Sequence, residues 1–271
     1  MIRRAAGKDF LLITQTDHAV LSGFLARHIG NDLFSPVDAE VIAAIAEHDA
    51  GWPLHDDSPT LNAAGLPLHV FETPAQLAIR IWSASVDCAM ELGPYAALLV
   101  SLHQLALSDF VMMNRKNPTP RDVFEMNKFQ HRQIERQEVL RKAIGMRTDV
   151  PLHLGLAAPG VNSAEDRLRF HFRLLTLCDR LSLELCCGAP LFPVIEEILP
   201  RPNGAAVSVQ PKLIDHGTMQ VEPWPFDAER LSAEASCRRV RSTAFETEEE
   251  FRAAFAAAPI ESVRFELKRE R

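Results

Sequence analysis

The sequence predicts a mainly α-helical domain that carries a small C-terminal appendage of α+β, antiparallel-sheet type, and three observations lead there. From Thr14 to about Gly188, apolar residues recur at spacings of three and four, the period of an amphipathic helix. Helix start and stop signals punctuate the same stretch, among them Ser35-Pro36, Gly93-Pro94, Ser163 with Asp166, and Gly188 before Pro190. After Pro200 the texture changes to alternation with period two, as strands have. Residues 1–195 are therefore expected to form the helical domain, and residues 196–271 a small sheet-forming region packed on it.

In order, Asp9 to Gln15 reads as a short strand or extended entry segment, and Thr14 or Thr16 N-caps a first helix that ends near His28 before Gly30. Its stripe of Leu21, Phe24, Leu25 and Ile29 puts His18 at the inward start. Ser35-Pro36 opens a second helix, with Asp38 three residues after Ser35 as a weak capping box. Gly51 to Pro74 is a loop rich in Pro, Asp and Gly, holding Trp52, His55 and His69, and loops of this length are usually functional or disordered. A third helix follows from Pro74 to Leu92 and a fourth from Pro94 to about Met113; the fourth is apolar nearly all round, as a central buried helix is. Arg121 to Ile144 is a charged amphipathic helix on the outside, 149–161 a linker, and Leu168 to Cys187 a helix capped by Ser163. Ala205 to Gln210, Met219 to Val221, Cys237 to Arg241 and Ser262 to Leu267 read as strands, with a short helix from Glu248 to Ala257.

Composition narrows the function. The net charge is -7 and the basic residues are scattered, which speaks against a nucleic-acid partner. Five cysteines without zinc-finger spacing suit reduced thiols in a cytoplasm. The first ten residues lack the apolar core of a signal peptide, and no run reads as long and apolar enough to span a bilayer, so no membrane partner is expected.

The chemistry concentrates at inward polar positions. Val41, Ile42 and Ile45 define a stripe whose next positions are His48 and Asp49. A carboxylate removed from water costs several kcal/mol unless it is paired or bound to a cation, and the neighbouring imidazole suggests a metal. The alternative is that His48 caps the helix and Asp49 begins a turn before Gly51 and Pro53. His103 lies beside Leu102 on the most apolar helix, where a buried imidazole needs either a carbonyl partner or a metal. Asp179 falls on the stripe of Leu168, Phe172, Leu175, Ser182 and Cys186; pairing with Arg180 or Arg80 is its structural alternative.

Taken in order, His18, His48-Asp49, His103 and Asp179 resemble the signature of the HD-domain superfamily, an all-helical metal-binding fold. The resemblance implies an HD-like helical domain in which His18, His48, Asp49 and Asp179 hold one ion. Dinuclear relatives add two histidines, for which His103 matches one and His69 matches the other in order, with Asp49 as bridging ligand and catalytic residue. The runs His48-Asp49-Ala50-Gly51-Trp52 and Leu99-Val100-Ser101-Leu102-His103 are also similar to a bacterial family of unknown function. Imidazoles and carboxylates without thiolates suit one or two divalent transition-metal ions, Fe, Mn, Zn, Co or Ni. The expected function is a metal-dependent phosphohydrolase or phosphodiesterase acting on a small phosphorylated metabolite or nucleotide, with Arg80, Arg115 or Lys116 available to the phosphate. The alternatives are a di-iron oxygenase of the HD type, or a non-catalytic regulatory protein in which the metal orders the helices. A homodimer is compatible with each.

Overall fold

In the computed structural model, which describes residues 1–114, 117–149 and 163–269, the chain begins in a sheet and returns to it. Strand β1 (Ile2–Ala6) turns at Gly7 into β2 (Asp9–Ile13), with Ile2 opposite Ile13. Strand β3 (Ile195–Ile198), β4 (Val207–Leu213), β5 (Thr218–Glu222), β6 (Arg230–Arg241) and β7 (Ile260–Arg269) supply the rest, with helix α8 (Glu248–Ala257) between β6 and β7. The order across the sheet is β1-β2-β6-β7-β5-β4-β3. All neighbours are antiparallel except β5 and β7, which run parallel, and the whole curls into a half-barrel.

Between β2 and β3 lie, among the described residues, the α-helices α1 (Gln15–Arg27), α2 (Ala39–Ala46), the single turn α3 (Pro53–Asp56), α4 (Ala75–Ala89), α5 (Pro94–Asn114), α6 (Pro120–Ala143) and α7 (Ala164–Cys187). About half of the chain is helix and a fifth is strand. The expectation of a mainly α, all-helical domain with a sheet as appendage is thus corrected to a mixed fold. The cause is local. β1 reads Ile-Arg-Arg-Ala-Ala, and its arginines conceal a strand whose Ile2 is fully buried. Arg4 is itself buried: its guanidinium donates to the carbonyls of Leu185 (2.6 Å) and His216, tying β1 to the end of α7. One contiguous core runs from Ile2 through Leu21, Ile45, Leu99 and Leu177 to Val221 and Leu267, so sheet and helices share their apolar interior.

Two further readings change. Helix α2 starts after Asp38 rather than at Ser35-Pro36, and it ends at Ala46, one residue before its C-cap Glu47. Helix α5 does have the length and apolarity of a membrane span, but 56% of that window is buried inside the protein, as in a core helix. The 149–161 linker, apart from Asp149, and the residues Arg115 and Lys116 lie outside the described residues. Helices α1 and α2 approach closely at Gly23, where a Cβ would stand 2.5 Å from the Cβ of Ala46. That contact sets His18 and the end of α2 side by side.

Candidate metal centre

His18 enters on the first turn of α1, which is capped by Thr14 Oγ1 accepting from the Asp17 amide. Its Nε2 is 3.1 Å from Asp179 Oδ1 on α7, and its Nδ1 is 3.0 Å from Ser182 Oγ, one turn further along α7. Asp179 therefore pairs with histidine rather than with Arg180 or Arg80; Arg80 is exposed.

His48 and Asp49 do not continue the α2 stripe. They occupy the turn after it, buried nonetheless, because the turn is pinned on both sides. Gln104 Nε2 of α5 donates to the His48 carbonyl (2.9 Å), and the Gly51 amide donates to Ser85 Oγ of α4 (3.0 Å). His48 Nδ1 donates to the Ile45 carbonyl (2.7 Å), which leaves the Nε2 lone pair facing inward. That Nε2 is 3.4 Å from Asp179 Oδ1 and 3.7 Å from Asp49 Oδ2. His103, on α5, sets its ring 5.0 Å from that of His48, edge to face, and His18 stands 5.4 Å away on the other side.

Three polar atoms in this cluster are buried without a hydrogen-bond partner: His48 Nε2, Asp49 Oδ1 and His103 Nε2. Leaving a buried polar atom unsatisfied costs about 1–3 kcal/mol each. The ligand atoms of His18, His48 and Asp49 lie within 4.8 Å of one another, as do those of His48, His103 and Asp179. These residues fit a metal ion: converging buried nitrogen and oxygen atoms without hydrogen-bond partners among the described residues are what a cation, taking the place of a ring proton, would satisfy.

The electrostatics agree. Burial opposes a charge on His48, yet the Asp49 carboxylate beside it and the approach of Asp179 at 3.4 Å outweigh burial and raise its pKa to about 9. Burial likewise opposes ionisation of Asp179, and the bond from His18 and the close approach of His48 overcome it, holding the carboxyl well below its usual range. Asp49 goes the other way, its pKa raised by burial. Burial also pushes His103 down to about 3, so it stays a neutral ligand. Two carboxylates thus converge on a place that calls for positive charge.

His69 is elsewhere. It N-caps the short turn Val70–Glu72, its Nδ1 accepting from the Phe71 amide, and among the described residues it joins neither ligand group. Burial and the neighbouring Arg3 lower its pKa to about 4. Its folded pKa is below the unfolded value of 6.5, so between these pH values the unfolded chain takes up a proton that the folded chain refuses, and stability falls as pH falls. In melting curves of metal-free protein, His69→Gln is expected to make the loss from pH 6.5 to 4 shallower than in the wild type; an unchanged slope would refute the assignment. His55 is engaged by Asp56 (2.9 Å) and Thr60 (3.2 Å), and Asp56 also accepts from the Gln15 amide, which ties this loop to the start of α1.

Sequence reasoning missed the supporting residues Gln104, Ser182 and Gly51, each visible only once α4, α5 and α7 are placed. It also gave Arg180 no role beyond pairing. Here the Arg180 guanidinium stacks over Phe192 at 5.2 Å, with no hydrogen bond or ion pair among the described residues, close enough to sense the charge of Asp179.

Fold and site together define a mixed α/β protein with a buried centre of three histidines and two aspartates. The chain belongs to the family described as protein of unknown function (DUF3891), which matches residues 1–242. No curated protein gives a match, and no solved structure does. The HD-superfamily resemblance is corrected: the family match is to DUF3891 without HD-domain support, and the helices rest on a seven-stranded sheet. The order His, His-Asp, His, Asp carries little information on fold, since any helical layer that buries such ligands on successive elements produces it.

Proposed function

We propose that this protein is a metal-dependent hydrolase of small phosphate esters, with one divalent transition-metal ion held by His18, His48, Asp49, His103 and Asp179. The observation that carries the reading is the convergence of His48 Nε2, His103 Nε2 and Asp49 Oδ1, all without hydrogen-bond partners, in one buried cluster with Asp179. One ion is favoured over two because both ligand groups share His48 Nε2, a single lone pair, while its Nδ1 is committed to Ile45. Imidazole and carboxylate donors suit Mn, Fe, Co, Ni or Zn. Such an ion, when bound, supplies Lewis acidity toward a phosphoryl oxygen and toward water.

The residues of the chain account for the rest. Ser182 and the Ile45 carbonyl fix the ring orientations of His18 and His48. Arg180, over the Phe192 ring and near enough to Asp179 to sense its charge, is the guanidinium that would match a phosphate there. The oxidative alternative, which requires six ligands, lacks one at His69.

Metal analysis of protein purified without chelators, followed by turnover of p-nitrophenyl phosphate and its diester with and without oxygen, tests this. The expected result is one ion per chain and oxygen-independent hydrolysis. Arg180→Gln is expected to raise KM about tenfold with metal content unchanged, as loss of a charged contact to substrate does. Metal-loaded protein that cleaves neither ester would overturn the proposal.

A further inference from the structure

The three helical segments that carry His48-Asp49, His103 and Asp179 also meet at a second place, around Asp38, Tyr95 and His171. Tyr95 and His103 are two turns apart on α5, and His171 and Asp179 are two turns apart on α7, which separates the two places by about 12 Å along the helices. There a cavity of about 340 Å³ opens. Its polar side is built from Asp38, Glu40, Tyr95, Arg167 and His171, and its apolar side includes Val41, Ile144 and Met146.

His171 is the fixed part. The side chain is 4% exposed, and its Nδ1 lies 2.6 Å from the Tyr95 hydroxyl. Burial holds the imidazole neutral, lowering its pKa to about 4, and raises that of Tyr95. A neutral ring that accepts from the tyrosine hydroxyl carries its one proton on Nε2. That Nε2 points toward Asp38 Oδ2, 4.0 Å away, too far for a hydrogen bond. Asp38 in turn is 2.9 Å from Arg167, and this pair is loose, with side chains 62% and 57% exposed. The carboxylate of Asp38 therefore stands at the mouth of the cavity between a guanidinium and an imidazole donor, without fully engaging the second.

We infer that this cavity is a binding site for a small monocarboxylate with an apolar body, whose carboxylate takes the place of Asp38 against Arg167 and His171 while its body lies on Val41, Ile144 and Met146. A dianionic phosphate is disfavoured, because Asp38 and Glu40 on the rim oppose a single arginine. A cation is disfavoured by the guanidinium and by the imidazole proton that faces inward. The inference is independent of the metal reading, and metal-free protein serves equally well to test it.

The experiment uses hexanoate as probe, with acetate, inorganic phosphate and hexylammonium for comparison, in calorimetry and in nitrogen-detected spectra of histidine-labelled protein. Hexanoate is expected to bind and to shift the His171 ring signals, with acetate at least tenfold weaker because it lacks the apolar body. Arg167→Gln is expected to weaken hexanoate at least tenfold, and Asp38→Asn to tighten it several-fold, since that variant removes the competing carboxylate. Both altered side chains are largely exposed, so the variants should melt with the wild type. No hexanoate binding, weaker binding by Asp38→Asn, or preference for phosphate or hexylammonium would overturn the inference.

Discussion

Asp179→Ala is expected to lose the metal and the activity together. Oδ1 of Asp179 is in contact range of both His18 and His48, at 3.1 and 3.4 Å, so its removal takes a proposed ligand and also frees the two rings beside it. Changing groups that merely orient metal ligands costs about 10–100-fold in affinity, and the loss for a ligand itself should exceed that. An ion held only by the folded chain, as proposed, would also stabilise it by mass action. Chelation should therefore bring the melting temperature of the wild type down, while the variant, already empty, should not respond. A variant that still binds one ion per chain, or a wild type indifferent to chelator, would be incompatible with the centre described.

Gly51→Ala is expected to be the most damaging single methyl group outside the ligands. A Cβ at Gly51 would lie 2.2 Å from the Ile81 carbonyl, 2.6 Å from the Ser85 amide and 2.8 Å from Ser85 Oγ. Two of the three are backbone atoms of α4, which cannot swing aside as a side chain would. Overpacking of this kind costs about 1–3 kcal/mol and sometimes more, which lowers the melting temperature of a chain this size by about 2 °C per kcal/mol. Asp49 sits in the same turn, so metal affinity should fall in parallel. Unchanged melting and unchanged metal affinity would show that the turn can move away from α4, and that it does not hold Asp49 in place.

How much of this could be read in advance depends on the range over which each signal acts. His18 and Asp179 were legible as inward residues because each sits on an apolar stripe, and His103 because its helix is apolar nearly all round and therefore buried. His48 and Asp49 were legible as buried polar residues but not as a turn: the stripe of Val41 and Ile45 projects onto them, while Gln104 and Ser85, which hold the turn, stand far away in sequence. The half-barrel was not legible. Its edge strand β1 contains two arginines in five residues, and its parallel pair β5–β7 has no local signature at all. Ser35-Pro36 offered a sound helix start that the chain does not use; α2 begins at Ala39, after Asp38. His69 fitted the order of ligands, and its actual role is to cap a turn beside Glu72. Arg180 was recorded only as a charge because the ring that orients it, Phe192, lies beyond the end of α7.

The register that sets Asp9 opposite Arg241 also governs how the chain can be assembled in time. To form that pair, about 230 intervening residues must be closed into a loop, at an entropic cost of roughly 5 kcal/mol by the (3/2)RT ln n rule. Strand β7 then has to enter between β5 and β6, so the sheet becomes continuous only when residues from 260 onward are in place. Helix pairs such as α5 with α6 are far more local, and local contacts form without that closure cost. Topologies of this kind fold in milliseconds to seconds rather than microseconds. Helices α5 and α7 can therefore bring His103 and Asp179 together while the sheet is still open, so an ion of the kind proposed would be captured during folding and not added to a finished protein.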